Sequence, residues 1–142
     1  AGTWNKSSVF SAMDLVPSLL EIAGIAAPSD VRFDGENLAS ALLGKSSDSR
    51  KAPLFWRRPP DRKFFAGKGP YPDLAVRVGD WKLLCEYDGS KPELYNLAND
   101  PGETQNVADK HPDVVRRLTE LVLGWNQSMP QDNGPTLGQS GP

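Results

Sequence analysis

The residues best suited to chemistry lie close together near the middle of the chain. Arg57, Arg58, Arg62, Lys63 and Lys68 place five cations in twelve residues, against one carboxylate, Asp61, and Tyr71 follows. A guanidinium is a planar fork of donors that matches the oxygens of carboxylate-like and sulfate-like anions, and an ammonium adds a point charge. Prolines at 59, 60, 70 and 72 and glycines at 67 and 69 put these cations on a long loop. Loops on a rigid scaffold often carry binding residues. Arg57, Arg58, Lys63 and Tyr71 are therefore the candidate anion-binding set. The competing reading is a surface loop whose charges serve solubility.

Other reactive groups are sparse. Cys85 is the only cysteine and His111 the only histidine, so neither an internal disulfide nor a Cys/His zinc cluster is available. Asp100 and Glu103 flank a Pro-Gly turn, but two acids are too few for the six to eight oxygens that calcium takes. No metal site is expected. Trp56, Trp81 and Trp125 could stack on sugars, yet aromatics in so small a domain are expected first to fill the core. Arg77 and Lys82 read as charges on the outer face of a hairpin. Asn5-Lys6-Ser7 and Asn126-Gln127-Ser128 fit the N-glycosylation pattern, which matters only on a eukaryotic secretory route.

Composition narrows the class. The 142 residues suit one domain, with 16 Lys and Arg against 18 Asp and Glu, a net charge of −2. That balance argues against nucleic acid as a partner. No apolar run approaches the roughly 18 residues of a membrane span. The first residues contain neither Met nor an apolar signal region, and read as a mature or excised start.

Periodicity supplies the elements that must position the cations. Leu15, Leu19 and Ile22 fall on one helical face, which predicts a helix over 14–23 with Asp14 as N-cap and Gly24 as terminator. Residues 36–43 are expected to form a short helix ending at Gly44. Strands are expected at 53–57, 73–78, 81–87 and 93–97, joined by turns at Gly79-Asp80 and Asp88-Gly89, an antiparallel meander. Pro112 at the first helical position opens a second helix, whose apolar face is Val114, Leu118, Leu121, Val122 and Trp125. The fold class is α+β: about four antiparallel strands packed by a C-terminal helix. The helix over 14–23 finds no place on that sheet, so its apolar face belongs against a partner or another part of the protein.

The order of several motifs resembles the C-terminal region of type I, formylglycine-dependent sulfatases of the arylsulfatase A and N-acetylgalactosamine-6-sulfatase kind. Asp14-Leu15-Val16-Pro17-Ser18-Leu19 through Ala23-Gly24 resembles their D-L-x-P-T-L-x-x-x-A-G. Asp34-Gly35-Glu36-Asn37-Leu38, Leu54-Phe55-Trp56 and Ala75-Val76-Arg77-Val78-Gly79-Asp80-Trp81-Lys82-Leu83 resemble the segments that follow. Glu93-Leu94-Tyr95-Asn96-Leu97 through Asp100-Pro101-Gly102-Glu103, then Asn106-Val107-Ala108, resembles E-L-Y-D-L-x-x-D-P-x-E and N-L-A.

The resemblance implies an alkaline-phosphatase-like α/β parent. Residues 1–45 would end its large domain, 46–126 would form the sheet-and-helix subdomain, and 127–142 would be a mobile tail. It implies a sulfuric ester hydrolase acting on sulfated carbohydrates, with a formylglycine and a divalent cation, calcium or magnesium, and export to a periplasmic, secreted or lysosomal compartment. Cys85-Glu86-Tyr87-Asp88-Gly89 does not match the family's C/S-x-P-x-R nucleophile motif, and Ser90-Lys91-Pro92-Glu93-Leu94 has Leu where Arg is required. These residues alone are therefore expected to be inactive and to contain no cofactor. Their implied partners are the N-terminal catalytic domain and a sulfated saccharide bordered by the cationic loop. Exposure of the Leu15, Leu19, Ile22 face would favour self-association. A non-catalytic interaction or carbohydrate-binding module derived from a sulfatase is the alternative.

Overall fold

The computed structural model describes residues 4, 5, 7–58 and 71–130. The chain divides into two compact units, Ala1–Ala52 and Pro53–Pro142.

In the first unit a 3-10 turn, Ala12–Asp14, leads into α1, Leu15–Ala23, and a one-turn helix α2 spans Ala39–Leu42. Gly24 ends α1 in the left-handed conformation, as expected. The expected capping role of Asp14 is not what the structure shows, because its carboxylate makes no bond to the N–H groups of α1. It is fully buried and turns elsewhere. Oδ2 accepts the Ser11 N–H at 2.8 Å, Oδ1 accepts the Glu36 N–H at 2.7 Å, and Oδ1 also takes the Arg50 guanidinium. Arg50 in turn donates to the Asp34 carbonyl at 3.0 Å and the Ala52 carbonyl at 3.2 Å.

Ser18 continues this network one helical turn on. Its hydroxyl donates to the Asp14 carbonyl at 2.6 Å and accepts the Leu38 N–H at 2.9 Å. The helix expected over 36–43 is shorter in the structure, Ala39–Leu42, and the N–H groups of Glu36 and Leu38 ahead of it donate to Asp14 and Ser18. Gly35 lies where this loop crosses the chain; a Cβ there would stand 1.9 Å from the Met13 carbonyl oxygen, so no side chain fits. The inward face of α1 is thus polar, while Leu15, Val16, Leu19 and Ile22 remain exposed.

The second unit is a four-stranded antiparallel sheet in the order β1-β2-β3-β4, with β1 Leu54–Arg57, β2 Leu74–Val78, β3 Trp81–Cys85 and β4 Glu93–Asn96. Strand pairing follows chain order, as a meander must. Val78 pairs with Trp81, so Gly79-Asp80 is a two-residue hairpin loop. The helix α3, Pro112–Ser128, packs on one face. It runs three residues past Trp125, so residues 127 and 128, expected in the tail, are helical.

Alternation decides what α3 covers. Leu74, Val76, Leu83, Cys85 and Leu94 point to one face and form a buried core with Leu118 and Val122 of α3. Complete burial of one such Leu contributes about 1.5–3 kcal/mol. Phe55 stacks on Trp125 with ring centroids 4.9 Å apart and planes 6° from parallel. Leu121 lies at the margin of the helical face and is exposed. Trp81 and Trp125 pack against the core as expected, whereas Trp56 does not. It pairs with Ala75 on the opposite face of the sheet and is 46% exposed.

The buried pair of the first unit yields a direct test. Asp14→Asn keeps the shape but strands the Arg50 charge, and breaking one side of a buried pair costs about 3–5 kcal/mol. Urea denaturation of the intact protein should show that loss, and a change within 0.5 kcal/mol would contradict the network's importance.

Candidate functional site

Arg57 and Arg58 leave the end of β1 and find different partners. The Arg57 guanidinium reaches back to the end of α3, donating at 3.5 Å to the Asn126 side-chain oxygen and at 3.4 Å to the Pro130 carbonyl. Its second guanidinium nitrogen also donates to the Pro130 carbonyl, at 3.5 Å; both acceptors are neutral and all three bonds are long. Arg58 instead forms an ion pair with Asp73, Nη2 to Oδ1 at 2.8 Å. Its backbone is fixed as well: its N–H donates to the Asp73 carbonyl at 2.8 Å, and its carbonyl accepts the Tyr87 hydroxyl at 2.6 Å. Arg58 Nε is buried with no partner among the described residues, a cost this anchoring must offset.

The four candidates therefore separate. Arg58 is engaged by a carboxylate. Arg57 is paired with no carboxylate among the described residues. Tyr71 is exposed. Lys63, with Asp61, Arg62 and Lys68, lies outside the described residues. What fixes Arg57 and Arg58 is the antiparallel pairing of β1 with β2, which places Arg57 opposite Leu74.

The remaining polar residues mostly hold loops. Lys82 donates to both oxygens of Glu103, at 2.6 and 2.7 Å. Glu103 sits at φ 54°, a left-handed conformation that non-glycine residues seldom adopt, and this ion pair helps hold it there. Asp100 accepts the N–H groups of Thr104 and Gln105 at 2.8 and 2.9 Å and the Thr104 hydroxyl at 3.0 Å. The Gln105 bond above all, with the two from Thr104, holds the Asp100 carboxyl below its ordinary value against some desolvation. Asn106 accepts the N–H groups of Leu94 and Ala108 and so covers the free edge of β4. Tyr95 donates to Glu93 at 2.7 Å; burial first, then that carboxylate, pushes its hydroxyl up to about 12.

Among the described residues, neither an activated nucleophile nor a metal-binding cluster is assembled. Among the described residues no three His, Cys, Asp or Glu side chains come together to hold a metal ion. Cys85 is fully buried in the core, and burial first, then the charges of Asp88, Glu86 and Asp73, pushes its thiol up to about 11. A nucleophile needs the opposite shift. These residues do not fit the nucleophile or the metal that the motif resemblance implies for the parent. No described helix is long and apolar enough to cross a membrane.

Residues 2–127 match the family model described as N-sulphoglucosamine sulphohydrolase, C-terminal. The chain belongs to the sulfatases, as their C-terminal region. It is 31% identical over 119 residues to an N-acetylgalactosamine-6-O-sulfatase of Bacteroides thetaiotaomicron, a match covering 82% of the chain and 23% of the relative. It is 34% identical over 118 residues to arylsulfatase K of Mus musculus, covering 81% and 21%. A solved 2-O GAG sulfatase superposes with a TM-score of 0.55 at 26% identity, covering 84% of this chain and 25% of that one. The chain thus spans about a fifth to a quarter of the length of the curated relatives it matches. In this sulfatase C-terminal region the W-K segment meets D-P-x-E through Lys82 and Glu103, and the D-L and D-G segments meet at Asp14. Arg50 carries no signal in the sequence, since a lone Arg in a Ser-rich stretch gives no mark of burial.

Two outcomes are expected. Iodoacetamide should leave Cys85 unmodified in the folded protein and alkylate it after denaturation; rapid labelling of the native state would contradict its burial. Asp100 has a depressed folded-state value, so its contribution is complete above the unfolded carboxyl value near about 4 and is lost as pH falls through the folded one. Melting curves from pH 5 to 2 should therefore fall less steeply for Asp100→Asn than for the wild type.

Proposed function

We propose that the protein hydrolyses sulfate esters of carbohydrates and that this chain completes its fold and borders the substrate cleft. The family match over residues 2–127 carries this reading. The names of relatives support the substrate class, one a 6-O-sulfatase of N-acetylgalactosamine and one a 2-O GAG sulfatase. The formylglycine nucleophile and the divalent cation, calcium or magnesium, would be supplied from outside these residues. Residues 1–45 would close the large α/β domain, and that domain would cover the exposed Leu15, Leu19 and Ile22 of α1. Export to a periplasmic, secreted or lysosomal compartment accords with a glycan substrate met outside the cytosol.

Within the cationic stretch, Arg57 is the best-placed substrate ligand. Its present bonds are long and to neutral acceptors, so an anion can displace them at small cost, whereas Arg58 would have to give up Asp73. Lys63 and Tyr71 complete the proposed subsite. A charge-assisted hydrogen bond contributes about 1.5–3 kcal/mol, or roughly ten- to a hundredfold. In the intact enzyme, Arg57→Ala should lower kcat/KM for a sulfated disaccharide by at least tenfold while changing a small aryl sulfate less than twofold. Equal losses on both substrates, or none, would remove Arg57 from the subsite. Absence of sulfate release from either substrate by the intact wild type would favour a non-catalytic module.

A further inference from the structure

A polar cavity opens at the end of the sheet opposite Arg57. The register sets the separation: Arg57 pairs with Leu74 at one end of β2, and Val78 pairs with Trp81 at the other. Those ends lie about 14 Å apart along the strand. The cavity, of about 430 Å³, is lined by Trp81, Asn99, Asp100, Gln105, Lys110 and His111 among others. That volume falls within the range of small-molecule clefts.

The lining has an uneven distribution of engaged and free groups. Trp81 and His111 meet at 4.8 Å between ring centroids with planes inclined by 57°, which fixes an aromatic wall. Asp100 is held by Thr104 and Gln105, yet Oδ1 accepts only the Thr104 hydroxyl and retains a free lone pair. The side chains of Asn99, Gln105 and Lys110 have no partner among the described residues. An aromatic wall, a positioned carboxylate and two free amides suit a sugar ring, whose C–H face is apolar and whose hydroxyls both donate and accept. A purely anionic ligand would meet Asp100, and a purely apolar one would strand the amides.

We propose that this cavity is a saccharide-binding site. One sugar ring would lie against Trp81 and His111. Its hydroxyls would donate to Asp100 and exchange bonds with Asn99 and Gln105, and a sulfate on that ring would face Lys110. The sugar follows from the cavity; only the choice of sulfate as the anion rests on the sulfatase reading. The role of such a site is to hold a polymer at a point additional to Arg57, which raises apparent affinity through effective concentration.

Affinity electrophoresis of the intact protein through gels containing chondroitin 6-sulfate, or the same polymer desulfated, tests this. The wild type should be retarded more by the sulfated polymer. Lys110→Ala should weaken its retardation at least fivefold and leave the desulfated polymer unaffected. Asn99→Ala combined with Gln105→Ala should weaken both. All three side chains are exposed, and unchanged melting temperatures would exclude misfolding. No retardation of the wild type, or variants indistinguishable from it, would overturn the site. Sulfate release from a sulfated disaccharide is measured on the same preparations. Retardation dependent on Lys110 without any sulfate release would leave the site standing and reject the sulfatase reading. Sulfate release without such retardation would do the reverse.

Discussion

The fold of the first 52 residues depends on a carboxylate removed from water. Asp14 is fully buried, and a buried charge is tolerated only when it is paired and hydrogen-bonded. Its partners come from three separate stretches: Ser11, Glu36 and Arg50. Satisfying it therefore forces the chain to bring those stretches together. The consequences spread outward. The Glu36 N–H is committed, Gly35 must pass against the Met13 carbonyl, and Glu36 itself accepts the N–H groups of Lys51 and Ala52. A unit with few buried apolar residues is thus closed by polar bonds, and the apolar face of α1 is left outward.

The second unit is organised by the opposite principle. Its sheet buries one apolar face under α3, and polar groups serve the loops and edges. Lys82 and Glu103 lie 21 residues apart and join the central hairpin to the Asp100-Pro101-Gly102-Glu103 turn. Asn106 caps the β4 edge, where an unpaired strand would otherwise invite association. The motifs that carry the sulfatase resemblance are in this sense partners of one another. Lys82 with Glu103, and Asp14 with the Glu36 N–H, join one such segment to another.

The cationic stretch shows how charge density and available charge differ. In sequence, Arg57 and Arg58 are equivalent neighbours. In the structure, one guanidinium is neutralised by Asp73, while the other rests on neutral oxygens. Pairing decides which cation can exchange its present contacts for a ligand, and pairing depends on where β2 begins.

Much of this architecture was legible in the chain. Short apolar runs between turn signals marked the four strands, Pro112 marked the start of α3, and the spacing of Leu118 and Val122 marked its inward face, because local geometry sets these patterns. Long-range pairing was not legible: local sequence points to Asp14 as a helix cap and to Trp56 as core, and it gives no mark of the burial of Arg50. Each depends on groups distant in sequence, or on which face of the sheet receives the helix. Periodicity and motif order suffice for the elements, their order and the family, since both are local properties of the chain. Which charges are buried, which cation is paired with a carboxylate and which polar groups line a common cavity emerge on folding, because burial and pairing belong to groups that folding brings together.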